Sequence, residues 1–138
     1  MEQLPTSGNM PTHMIKPGMV TTLGVMTLVS GILNILTGLG ITFAVAVSTL
    51  GIGLLCAPIT FLPGILGVFE ILYAIKILAN PPTPVQFSQT IAILEILTIL
   101  VGNVVALIVG ILALVFYNDP QVREYFARIN AQPAVAES

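Results

Sequence analysis

The stretch "TIAILEILTILVGNVVALIVGILALVFY", Thr90–Tyr117, is apolar throughout except for Glu95, Thr98 and Asn103. "NPPTP" at 80–84 precedes it and "NDP" at 118–120 follows it, so helix-breaking residues bound it on both sides. A run longer than ~20 apolar residues can cross the ~30 Å hydrocarbon core with some tilt, and the spacing predicts one transmembrane helix here. The remainder of the chain has the same character. Residues 17–69 carry no Asp, Glu, Lys or Arg, and 77–118 carry only Glu95. With 56% hydrophobic and 7% charged residues, a water-soluble fold would lack a surface. The expected fold class is therefore all-α, a polytopic membrane helix bundle.

Reading towards the N-terminus, roughly Ala57–Ala79 forms another predicted span, with Pro58 in the first turn, where its missing N–H does little harm, and Pro63 as a bend. The first run, Met19–Cys56, is too long for one straight crossing and has two points of punctuation, "GLG" at 38–40 and "STLGIG" at 48–53. Three spans would cover about 20–47, 58–79 and 90–117. Four would turn at 38–40 and again near 58–63. The charges favour four, because that arrangement sets Lys16, Arg123 and Arg128 together against Lys76, whereas three spans leave a tie. Three is nonetheless preferred, since a single helical pattern runs unbroken to Gly38 and four spans need two almost loop-free turns. This divides the chain into a polar irregular tail at 1–18, a transmembrane domain at 19–117 and a C-terminal segment at 118–138. The apolar run from Met19 exceeds a signal-peptide core and reads as a retained anchor.

That helical pattern is Gly24, Thr27, Gly31, Asn34 and Gly38, spaced alternately by three and four, which gathers small and polar residues on one stripe. In lipid no hydrophobic force joins helices, so small residues that admit close backbones, and an Asn that bonds across, supply the association. Thr98, Gly102, Ala106 and Gly110 repeat the theme in four-residue steps along the last predicted span, with Asn103 and Ala113 alongside.

Glu70 and Glu95 are the charges least expected in this setting. They lie nine residues before Ala79 and seven after Ser88, so on helices both sit ~10 to 14 Å in from the loop at 80–88. An ionised carboxylate in lipid costs several kcal/mol or takes up a proton, which makes intramembrane acids functional candidates by default. Glu70 and Glu95 could share a proton, pair with Lys76 or bind a cation; equally, each could make an interhelical hydrogen bond that fixes packing. Lys76, three residues from a helix end, can reach the interface without a partner.

The remaining chemistry-bearing residues are few. His13 is the only histidine and lies in the tail, so no span offers the usual haem ligand. Cys56 is the only cysteine, which excludes an intramolecular disulfide, and is expected to be a small buried apolar residue. Neither a phosphate-cradling glycine loop nor a metal-ligand motif occurs. We therefore expect no catalysis, no cofactor and no metal. Ten charged residues with a net charge of -2 leave no basic footprint for nucleic acid. After Tyr117, Asp119 reads as a cap and Pro120 as the first residue of a short amphipathic helix. Val122, Tyr125, Phe126 and Ile129 share its apolar face, which suits the membrane interface or a partner subunit.

"LIVGILALVFYNDPQVREYF", Leu107–Phe126, resembles the end of small, uncharacterised multi-span bacterial membrane proteins, in which a glycine-rich last helix leads into a polar-aromatic tail. The resemblance implies a multi-pass protein of a bacterial cytoplasmic membrane, often drawn with four spans, and carries over no functional residues. Taken together, the expectation is a non-catalytic structural or assembly subunit of a homo-oligomer or larger membrane complex. The alternative is a small proton or ion conductor using Glu70 and Glu95.

Overall fold

The computed structural model describes residues 15–131. The expected tails therefore lie largely outside the described residues, as do His13 and the ends of the first and last predicted segments. All elements described are helical: α1 (Gly18–Ser48), α2 (Ala57–Thr60), α3 (Leu62–Leu78), α4 (Gln89–Leu97), α5 (Val104–Tyr117) and α6 (Pro120–Ala131). Short 3-10 turns at Ile52–Cys56 and Thr98–Val101 precede α2 and follow α4.

Two segments, Gly18–Ser48 and Ile52–Leu78, are long and apolar enough to cross a membrane, and a third is reached only by joining α5 to α6 across a 79° bend. α1 runs unbroken through Gly38 and Gly40 for 31 residues, about 46 Å, so the turn expected there in a four-span chain is absent. The chain reverses instead at Thr49–Gly51, where Gly51 has φ 91°. Pro58 stands in the first turn of α2 and Pro63 in the first turn of α3, and the expected bend at Pro63 is a break at Phe61.

α1 and α3 pack antiparallel along the stripe read from the sequence. A Cβ on Gly24 would meet Leu78, one on Gly31 would meet the Gly67 carbonyl, and one on Gly38 would lie 2.7 Å from the Gly64 nitrogen. Their polar residues point inward, with Thr27, Ser30 and Asn34 buried, while Val25, Val29, Ile32 and Leu36 are exposed. This inverts the pattern of a soluble protein and suits a lipid surround.

The quoted stretch at 90–117 is not one helix. It folds back on itself as a hairpin, α4 and α5, in which Phe87 stacks on Tyr117 at 4.1 Å and a Cβ on Gly110 would lie 2.6 Å from the Ala92 carbonyl. The turn has a local cause. Gly102 adopts φ 82°, a left-handed conformation that ends a helix and that glycine takes without Cβ strain. The next residue, Asn103, caps α5 by accepting a hydrogen bond from the Ala106 N–H at 3.0 Å. Each arm is about 21 Å long, shorter than a ~30 Å hydrocarbon core, and the hairpin begins and ends at the same end of the bundle.

That end collects every Lys and Arg in the chain. Lys16 donates to the carbonyls of Ile77 (2.7 Å) and Ala79 (2.9 Å), and partial burial holds its amine below the ordinary lysine range. Lys76 lies in the last turn of α3. Arg123 and Arg128 belong to α6, whose N-terminus is capped by Asp119 accepting from the Gln121 and Val122 N–H groups. α6 turns its apolar face, Val122, Tyr125, Phe126 and Ile129, onto Val20, Leu23, Ile77, Ala92 and Ala113 of the bundle. The chain's own helices thus cover the face that the sequence suited to the membrane interface or a partner. Cys56, expected to be buried, is exposed at the opposite, uncharged end among apolar residues.

Candidate functional site

Where α1, α3 and the hairpin meet, the bundle encloses a polar centre. Asn34 of α1 is fully buried and donates through Nδ2 to Glu70 Oε1 of α3 at 2.8 Å. Asn103, at the root of α5, donates through Nδ2 to Asn34 Oδ1 at 2.5 Å. One chain of side-chain hydrogen bonds therefore joins both long helices to the hairpin, and Asn103 contributes twice, since its Oδ1 also caps α5. Such bonds across helices supply the directional attraction that lipid tails cannot.

Glu95 comes in from α4 and is 1% exposed; Glu70 is 0% exposed. The two carboxyl groups are close enough to feel one another's charge, and the Ser30 side chain lies beside both. Among the described residues, Ser30 Oγ, Glu70 Oε2 and both oxygens of Glu95 are buried with no hydrogen-bond partner. Thr98, one turn after Glu95, satisfies its own hydroxyl on the Glu95 backbone carbonyl at 2.5 Å.

No protein-family model, curated protein or solved structure matches this chain.

The structure treats the residues singled out from sequence unevenly. Gly24, Thr27, Gly31, Asn34 and Gly38 are all buried on the α1 face that meets α3. The second stripe is divided by the turn. Thr98 ends up on one arm with Ala106 and Gly110 on the other, and nothing lies within 4 Å of a Cβ on Gly102. Gly102 serves the backbone turn; Gly110 alone among these glycines is a close-approach point between the arms. The four-residue spacing had assumed a continuous helix, which Gly102 ends.

Glu70 and Glu95 are brought together, whereas Lys76 is not: it is exposed at the basic end, and no ion pair joins it to either carboxyl. Two participants were missed from sequence. Ser30 stands three residues after Thr27 and four before Asn34, so the helical period alone would have placed it on the polar stripe. Tyr73, whose hydroxyl accepts from the Ser88 N–H at 3.1 Å, fastens the start of the hairpin to α3 and lies within electrostatic reach of Glu95.

Proposed function

We propose that this protein is a non-catalytic, multi-pass membrane protein that acts as an assembly subunit, in a homo-oligomer or within a larger complex. Two full crossings, a hairpin that penetrates from the basic end and a short helix closing that end make up the fold. By the positive-inside rule the basic end faces the cytoplasm.

One observation carries the reading. The hairpin tip is irregular backbone about 21 Å in from its own base, and while Asn103 is buried against α1, the other side of the tip is left uncovered by the described residues, with Leu100 83% exposed and Gly102 exposed. Irregular backbone at that depth is tolerated where protein buries it or where it lines a cavity, and not where it faces lipid. An apolar groove of about 370 Å³ beside the tip, between Leu62, Leu66 and Phe69 of α3 and Leu94, Leu97 and Leu100, continues the uncovered surface. A neighbouring subunit would cover both.

The test is the native mass, and the stoichiometric companions, of the protein gently extracted from its membrane. A fixed homo-oligomer or a constant set of subunits supports the proposal, and a lone monomer refutes it. A second reading, a small proton or ion conductor, is favoured by the unpartnered carboxyl oxygens of Glu70 and Glu95. Replacing both with Gln separates the two: an assembly role predicts altered assembly without a flux phenotype, and conduction predicts lost flux with assembly intact.

A further inference from the structure

Packing accounts for only part of the polar centre. Asn34 satisfies Glu70 Oε1, yet Ser30 Oγ, Glu70 Oε2, Glu95 Oε1 and Glu95 Oε2 remain buried without partners. Buried polar atoms are nearly always hydrogen-bonded, and one hydroxyl and three carboxyl oxygens left orphaned together call for an occupant. Carboxyl groups held away from water also require neutralisation. Among the described residues, the lysines nearest in sequence do not provide it, because Lys16 is committed to the Ile77 and Ala79 carbonyls and Lys76 is exposed at the basic end.

We infer that Ser30, Glu70 and Glu95 form a binding site for small, hard monovalent cations, either two protons or one proton together with one alkali ion of about the size of sodium. The donor chemistry selects this class. All four free ligands are oxygens, which suit hard cations, and no group of three or more His, Cys, Asp or Glu exists among the described residues to hold a transition metal. Ca²⁺ takes 6–8 oxygens, more than the four unpartnered ones, and Mg²⁺ keeps several waters, which do not suit groups that are 0–1% exposed. Two adjacent carboxyls in a low dielectric cannot both stay charged, so one proton and one monovalent cation, or protons alone, bring the site to neutrality.

Among the described residues, few other titratable groups face it. α3 contributes Tyr73, α1 contributes none between Gly18 and Ser48, and α5 has only Tyr117, which stacks on Phe87 at the basic end. The site lies within one chain, so the inference holds for monomer and oligomer alike and does not depend on the assembly reading.

The experiment uses the full chain in phosphatidylcholine nanodiscs and the membrane-permeant reagent dicyclohexylcarbodiimide, which adds to protonated carboxyl groups. Peptide mass spectrometry then locates and times the adduct. Modification of Glu95 or Glu70 that slows as pH rises, and is unaffected by exchanging choline chloride for sodium chloride, supports the site with protons alone as its occupants. Modification slowed by sodium chloride at constant pH and ionic strength supports it with an alkali ion. Ser30→Ala retains both carboxyls and serves if Glu95→Gln fails to fold. It should raise the half-protecting sodium concentration about tenfold, the equivalent of about 1.4 kcal/mol, or displace the midpoint of the pH profile in the proton case. Absence of modification at every pH, or a rate indifferent to pH, sodium and Ser30→Ala, overturns the inference.

Discussion

Gly31→Ala is the perturbation that probes the α1–α3 contact most directly. The added methyl would lie 2.8 Å from both the Gly67 carbonyl oxygen and Ile71 Cγ1. The isoleucine can rotate, but the backbone carbonyl cannot yield alone, so the helices must part by about 0.6 Å to restore the 3.4 Å of ordinary contact. One turn along, the Asn34–Glu70 bond would stretch from 2.8 Å to about 3.4 Å, the edge of useful hydrogen bonding. Overpacking of this kind costs about 1–3 kcal/mol, of which an interhelical hydrogen bond supplies about 0.6–1.7. Gly40→Ala is the matched control. It adds the same methyl to the same helix with nothing within 4 Å, and the better helix propensity of alanine should leave stability unchanged or up to about 1 kcal/mol higher. Unfolding by sodium dodecyl sulfate in mixed micelles, followed by far-ultraviolet circular dichroism, compares the two. If both variants unfold at the same detergent fraction, α1 and α3 are not in close contact at Gly31 and the reasoning fails.

Three further expectations concern the hairpin. Gly102→Ala forces a Cβ into a left-handed conformation and should cost about 1 kcal/mol in the same assay, with Gly102→Asn milder because Asn tolerates that region; equal stability of all three chains would contradict the turn. Asn103→Leu removes the α5 cap and the bond to Asn34, for about 2 kcal/mol, and Asn103→Ser, which can still cap but is too short for Asn34, should lose roughly half of that. On a Cys56→Ser background, single cysteines at Gln86 and Gln121 should react with an impermeant maleimide from the same face of the membrane. A straight helix through 90–117 would place them on opposite faces.

Several features were decided by sequence alone, because each depends on local composition or period. Absence of charge from 17 to 69 sufficed to mark helices long and apolar enough to cross a membrane, since such residues offer no polar surface to cover a soluble core. The alternating three-and-four spacing from Gly24 to Gly38 sufficed to define the packed face of α1, because a helix brings those positions together whatever lies opposite. Asp119 and Pro120 marked the start of α6 for the same local reason.

Tertiary structure decided the rest. The Gly102–Asn103 pair is a helix stop followed by a helix cap, yet within an apolar run it reads equally well as part of a straight span. Contact between the arms at Gly110, Ala92 and Glu95 settles the matter in favour of folding back. That reversal sets all four basic residues at one end, where a straight third span would have divided them. It also carries Glu95 to Ser30 and Asn103 to Asn34, juxtapositions across 65 and 69 residues that no sequence period encodes, because they depend on where a remote segment turns.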